Sequence, residues 1–318
     1  MYGLITEIRN YLFDKQIIAS KKHKNIYVLC VGNLRVGGTG KTPMVEYLIK
    51  NLKEDFNVAV VSLGYKRQSK GLREISQDDT FLSVGDEPKQ MSVKFPDVKF
   101  VVNKDRNQAI EYIKNKYPDT QVIILDDAYQ YRKTIPTKTI LLTEYSRPFY
   151  EDKVIPYGRL RESDKNKKRA DYIVVTKTPN GVSENQKQGI ISRIKVSANQ
   201  TVFFSQINYA PLPQNLIGQD IILIAGIDNP TPLQKYLETQ CKVRKLMKFP
   251  DHYAFQDKDI KQIKQEAERL NCQIVTTEKD YARLKRYNLN MFVQTIEIKV
   301  DNNFINIIKD DIRKYFRS

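Results

Sequence analysis

Long apolar runs are missing from this chain of 318 residues. No stretch approaches the roughly 20 consecutive apolar residues that a membrane-spanning helix needs, which excludes a transmembrane segment. The first residues also lack the long apolar core of a secretory signal. Cysteine is scarce: Cys30, Cys241 and Cys272 lie far apart, Cys30 and Cys272 beside apolar strand-like runs. They read as reduced core residues of a cytoplasmic protein rather than as a disulfide frame or a metal knot. Histidine occurs twice, so imidazole chemistry has two possible homes. Acidic residues are in deficit, 37 against 53 Lys and Arg, for a net charge of +16. Such a surface attracts polyanions: nucleic acid, an anionic membrane or a phosphorylated substrate. No recognisable nucleic-acid module accompanies the charge, so no nucleic-acid partner is expected.

What is present is most telling between Val28 and Pro43, Val-Leu-Cys-Val-Gly-Asn-Leu-Arg-Val-Gly-Gly-Thr-Gly-Lys-Thr-Pro. An apolar run ends in glycines, then Gly40-Lys41-Thr42, then an apolar-periodic segment. That order is strand, glycine-rich loop, helix, the context of a phosphate-binding loop. Gly37, Gly38, Thr39 and Gly40 let successive N–H groups face one concavity, and the helix start adds unpaired donors. Lys41 reaches the outer phosphates and Thr42 offers a hydroxyl to Mg²⁺, so a nucleoside triphosphate is the expected ligand. The usual loop has a glycine where this chain has Arg35. The Gly-Gly-x-Gly-Lys-Thr form is nearer that of septum-site and partition ATPases, which carry a second lysine where this chain has Val36.

Val/Ile runs at 58–62, 98–102, 121–125, 138–142 and 172–176 alternate with helical segments, including one from Arg106 to Lys116. They predict a mostly parallel sheet covered on both faces, with ligands at the strand tips. The expected fold is α/β. Residues 1–200 form a phosphate-loop domain, and residues 201–302 form a smaller α/β domain containing connector strands 201–207 and 291–299. A final helix, 303–318, is expected to pack back on the first domain. Leu4, Ile5, Ile8, Tyr11 and Leu12 share one face of a first helix, ahead of the basic cluster Lys21-Lys22-His23-Lys24. That face either packs on its own domain or lies in the interface of an anionic membrane.

Asp126 and Asp127 end an apolar strand, where phosphate-loop proteins keep a metal-binding acid. Two acids at a buried strand tip are costly unless a cation neutralises them. Gly85-Asp86-Glu87-Pro88 reads locally as a surface turn, and His252 stands beside aromatic residues in Phe249-Pro250-Asp251-His252-Tyr253. Thr277-Glu278-Lys279-Asp280 reads as a helix cap with acids in the first turn.

Taken in order, these segments resemble the tetraacyldisaccharide 4′-kinase family of lipid A biosynthesis. The resemblance rests on Gly32-Asn33 with 36–43, Gly85–Pro88, Asp126-Asp127 with Gln130, Pro156-x-Gly158-x-Leu160-Arg161-Glu162, Ala225-Gly226-Ile227 with Asn229-Pro230, Phe249-x-Asp251-His252 and Thr277–Asp280. Tyr2-Gly3 and Arg9-Asn10 are similar to that family's start. The resemblance implies two α/β/α sandwich domains joined by a two-stranded connector. It implies transfer of the γ-phosphoryl group of ATP, with Mg²⁺, to the 4′-hydroxyl of tetraacyldisaccharide 1-phosphate at the cytoplasmic face of a bacterial inner membrane. It casts Asp86 as catalytic base, His252 as its helper and Lys41 and Thr42 as the loop lysine and magnesium-binding hydroxyl. Glu87, Asp126 and Asp127 become acids around the metal, and Arg106 and Arg161 contacts to the anionic headgroup. No obligate protein partner is implied. The alternative from another class is a switch or scaffold ATPase that hydrolyses ATP to control membrane or partner association. Two departures from the family pattern stand out: Tyr131 where a histidine is usual, and Leu63 where an arginine is usual.

Overall fold

The computed structural model describes residues 2–251, 253–301 and 303–318. Its centre is a sheet of nine strands in the order Ile296–Val300, Thr201–Tyr209, Tyr172–Thr176, Lys138–Glu144, Tyr27–Asn33, Val122–Asp126, Val58–Ser62, Lys99–Val102 and Arg73–Glu74. Pairing is parallel except at the two edges, where Ile296–Val300 and Arg73–Glu74 run antiparallel to their neighbours. The five inner strands alternate their side chains between two apolar layers, so both faces need a cover. Tyr27, Leu29 and Val31 face one layer with Leu48 and Ile49 of the loop helix, Lys41–Leu52. Val28 and Cys30 face the other, with Ala109, Ile110 and Ile113 of the helix Arg106–Lys116. Cys30 is buried and unpaired, as its apolar neighbourhood predicts.

Phe304, Ile308 and Ile312 of the C-terminal helix, Phe304–Arg317, are fully buried in the first of these layers. A second sheet of four parallel strands, in the order Lys242–Lys248, Asp220–Ala225, Gln273–Thr277 and Met291–Gln294, has its own apolar clusters. The helices Thr231–Glu238 and Asp257–Leu270 supply Leu233, Leu237, Ile260 and Ile263 to those clusters.

The segment 291–299 divides differently from the single connector strand expected of it. Met291–Gln294 completes the four-stranded sheet beside Gln273–Thr277, and only Ile296–Val300 pairs with Thr201–Tyr209. Thr295 lies between the two strands, and its carbonyl accepts from the Ala210 amide at 3.1 Å. One apolar run therefore serves two sheets, which its composition alone does not reveal.

The C-terminal helix contributes about 1.5–3 kcal/mol for each large apolar side chain it buries. Ile308→Ala is expected to destabilise the chain by about 2–5 kcal/mol, read as a lowered urea midpoint, because the side chain has no exposed surface to spare. The exposed Tyr2→Ala is expected to leave that midpoint in place.

Candidate functional site

The phosphate loop leaves the central strand Tyr27–Asn33, which lies between Lys138–Glu144 and Val122–Asp126, where the chain's strand order reverses. Crevices at such switch points are where open α/β sheets bind ligands. Gly37 and Gly40 hold φ of +112° and +87°, conformations that a side chain would strain. Gly40 is also the N-cap of the loop helix and gives it no side-chain cap, so its first N–H groups stay available. Arg35, at the position where a glycine is usual, forms an antiparallel bridge with Leu160. The Val36 amide donates to the Arg159 carbonyl at 2.9 Å, and the Arg161 amide to the Leu34 carbonyl at 2.7 Å. The Arg35 guanidinium lies 3.1 Å from Asp152 and 3.7 Å from Glu144. The entry to the loop is thus stitched to the 158–161 segment, a fixed extended conformation in which any residue fits.

At the tip of Val122–Asp126 the two carboxylates part. Asp126 is buried, accepts from Ser62 Oγ at 3.0 Å through Oδ2, and has no protein partner for Oδ1. Burial, followed by the nearby Glu87 and Asp127 carboxylates, pushes its pKa up to about 7, against the opposing pull of Lys41 and Ser62. Asp127 turns the other way, with φ +45°. Its Oδ1 lies 2.8 Å from Arg161 Nη2, and its Oδ2 lies 3.7 Å from Lys41 Nζ. Burial works to raise this carboxyl too, but Lys41 and Arg161 outweigh it and hold it below its ordinary value. A donor set of hard oxygens with one buried lone pair unanswered fits a hard divalent cation. Among the described residues no three His, Cys, Asp or Glu side chains converge on one point. A magnesium ion here would take its remaining ligands from phosphate and water, as is usual for that ion.

Gly85-Asp86-Glu87-Pro88 is the start of a helix, Asp86–Lys94, and not a surface turn. Both acids sit in the first turn, where the dipole favours them, and both face the four-stranded sheet's side of the molecule. Asp86 Oδ2 accepts from Arg283 Nη2 at 2.6 Å and Nε at 3.0 Å. The Arg283 side chain is 3% exposed and also reaches Asp280, which accepts from the Gly226 amide and the Thr277 hydroxyl. Glu87 lies 3.8 Å from Lys279, which in turn pairs with Asp251 at 2.7 Å. Two further pairs cross the same cleft: Lys94 with Glu278 at 3.2 Å and Arg147 with Asp228 at 2.9 Å. His252 lies outside the described residues.

The structure brings Lys41, Asp126, Asp127 and Arg161 together, with Glu87 within electrostatic reach of Asp126. Arg106 stands behind them. It is 5% exposed, donates to the Lys104 carbonyl at 2.9 Å and stacks 5.0 Å from the centre of the Tyr131 ring. Tyr131, in the usual histidine's place, donates its hydroxyl to Asp105 at 2.9 Å and lids that arginine. Sequence reading passed over Arg283, Ser62 and Lys177. Lys177 donates to the Gly38 carbonyl at 2.6 Å. Ser62 and Lys177 have one local signal, placement at or just beyond strand ends that point toward the loop, whereas Arg283, in the last turn of the helix Glu278–Leu284, has none.

Comparison with known proteins decides the family. The family described as Tetraacyldisaccharide-1-P 4′-kinase matches residues 1–313. The chain belongs to that family. Among its relatives, the tetraacyldisaccharide 4′-kinase of Flavobacterium johnsoniae is 40% identical, the match covering 96% of this chain and 91% of that one. The protein of the same name from Bacteroides thetaiotaomicron is 38% identical over 95% of this chain and 86% of its own length. A solved structure, the "apo" form of LpxK from Aquifex aeolicus in complex with ATP, superposes with a TM-score of 0.77 at 29% identity, covering 99% of this chain and 96% of that one. This tetraacyldisaccharide 4′-kinase family member is therefore a phosphate-loop α/β enzyme of lipid A biosynthesis, as its motifs suggest.

An acid whose pKa is raised on folding stabilises the fold most below its unfolded pKa, and that contribution is lost as pH rises through the folded value. For Asp126 the window runs from about 4 to about 7. In metal-free buffer, Asp126→Asn is expected to gain on the parent chain between pH 4 and pH 8, seen as a growing difference in urea midpoint. A difference that does not vary with pH would contradict a buried carboxylate forced to ionise.

Proposed function

We propose that this kinase transfers the γ-phosphoryl group of ATP to the 4′-hydroxyl of tetraacyldisaccharide 1-phosphate, working on an anionic membrane surface. The convergence of Lys41, Asp126 and Asp127 at one strand edge, with Asp86 paired across the cleft to Arg283, carries this reading. Gly37, Gly38, Thr39 and Gly40 would wrap the triphosphate with backbone donors. Lys41 would set its charge against the oxygens of the group in flight, where fixed positive charge lowers the barrier most. Thr42, Asp126, Asp127 and Glu87 would hold Mg²⁺, which when bound supplies positive charge between the phosphates.

Asp86 is the group proposed to take the proton of the sugar hydroxyl, with His252 assisting. A base must be held at hydrogen-bond reach of its proton. Arg283 fixes the carboxylate's orientation from the four-stranded sheet's side, so the two sheets and their helices act as two lobes, with the strands Thr201–Tyr209 and Ile296–Val300 belonging to the larger one. Arg161 is offered to the anionic headgroup, its guanidinium already shared between Asp127 and Asn33. Arg106 reaches such a group only if the Tyr131 ring swings away. The membrane reading is supported by Leu4, Ile5, Ile8 and Tyr11, all more than half exposed on the helix Tyr2–Asp14, and by the neighbouring lysines. No described helix is long and apolar enough to cross a membrane.

The test is direct. With ATP labelled at the γ-position, Mg²⁺ and the disaccharide 1-phosphate in mixed micelles, label is expected on the lipid. Label released to water at a rate indifferent to the lipid would instead favour a hydrolytic switch. Asp86→Asn is expected to lower turnover by about 10²-fold or more while the dissociation constant for an ATP analogue, measured by calorimetry, stays within about threefold of the parent's. Equal losses in both would remove Asp86 from proton transfer.

A further inference from the structure

The helix Tyr2–Asp14 turns two polar side chains inward, Thr6 and Asn10, and the two are used differently. Thr6 bonds within its own helix, its hydroxyl donating to the Gly3 carbonyl at 2.8 Å. Asn10 leaves its helix. Its Nδ2 donates to Glu162 Oε2 at 2.8 Å, and Glu162 has no exposed surface at all. The other oxygen of Glu162 accepts from Gln130 Nε2 at 3.0 Å and from Arg169 at 2.7 Å. The same Gln130 nitrogen donates to the Asn33 carbonyl at 2.7 Å, and the Asn33 side-chain amide donates to the Thr39 hydroxyl in the phosphate loop. Asn10, Glu162, Asn33 and Thr39 are all at least nine-tenths buried. An unbroken line of hydrogen bonds therefore runs from the amphipathic helix to the loop. Arg132 secures its outer end, donating to the Asn10 carbonyl at 2.8 Å and to Asp14 at 2.6 Å.

Asparagine has no helix-forming reason to stand here, being a poor helix former that favours caps and turns. Hydrogen bonds in a buried network are strong and costly to leave unmade, so such a network holds its members in one arrangement. If the helix tilts, either Asn10 releases a fully buried carboxylate or the links inward move with it.

We propose that Asn10 is a positioning residue for the phosphate loop: through Glu162, Gln130 and Asn33 it couples the seating of the first helix on an anionic bilayer to the order of residues 37–42. The proposal rests on the membrane reading given above. A seated helix fixes the outer end of the line, the loop is then more ordered before ATP arrives, and less ordering remains for ATP to impose. Membrane contact accordingly tightens nucleotide binding without touching the nucleotide.

The experiment uses the full chain and vesicles of phosphatidylglycerol and phosphatidylethanolamine with no acceptor lipid. Vesicle binding is followed by co-sedimentation, ATP-analogue affinity by calorimetry and protection of 33–42 by amide exchange. The parent chain is expected to co-sediment, to bind the analogue about fivefold more tightly with vesicles, and to gain protection in the loop. Asn10→Leu is expected to co-sediment equally while its affinity change falls below about twofold. Gln130→Leu, which cuts the line at a later link and leaves the helix untouched, is expected to do the same, and the double variant to lose no more than either single one. A parent chain that does not co-sediment overturns the membrane reading and the coupling with it. Co-sedimentation of both Leu variants with the parent's full affinity change overturns the coupling alone.

Discussion

A carboxylate buried at the end of a central strand, with one oxygen left unanswered by protein, is the constraint around which this molecule is arranged. Asp126 occupies that position. Isolated, an ionised group there would be too costly to keep. The surroundings are built to make the cost conditional: a lysine from the loop helix, a serine from the next strand, and two further acids that worsen the strain until positive charge arrives. The glycine loop, the loop helix and the two inner strands bring these groups to one edge because a parallel sheet puts all its strand ends on the same side. Asp127, one residue on, is released from that burden by its left-handed turn and by Lys41 and Arg161, so adjacent identical side chains acquire opposite electrostatic character.

The second sheet matters through what it lends across the cleft. Arg283, Lys279, Glu278 and Asp228 each meet an opposite charge on the larger layer. Arg283 is itself braced by Asp280, which the Gly226 amide and Thr277 hold in turn. A buried pair of this kind is poor evidence of net stability, since desolvation consumes much of the attraction, but breaking it leaves a stranded charge. Its value lies in specifying how the two halves face each other.

The parallel sheet, its phosphate loop and the helix after Arg106 were legible because their signals are local: unbroken Val/Ile runs, glycines before Lys41, apolar spacing along 106–116. The site's first ring was legible for the same reason, each member standing beside a strand end or a glycine. Gly85–Pro88 misled because Gly and Pro around two acids mark a turn and a helix start equally well, and only the pairing with Arg283 and Lys279 distinguishes them. Residues 291–299 misled because one apolar strand pattern cannot tell which of two sheets it will join. Arg283 had no local signal, since its partner is nearly two hundred residues away. Arg106, a headgroup contact by resemblance, is buried against the Tyr131 ring, an enclosure that spacing does not disclose.

The final helix has a consequence for biogenesis. Phe304, Ile308 and Ile312 complete a layer that holds Tyr27, Tyr172 and Phe203, on strands that leave the ribosome long before residue 304 is made. Until then the part of that layer that the loop helix Lys41–Leu52 does not cover stands open, a hazard for self-association. Nascent chains of this protein should therefore lean on chaperones until the last turn emerges, and truncations that spare every chemical group yet remove the tail should accumulate as aggregates rather than as inactive monomers.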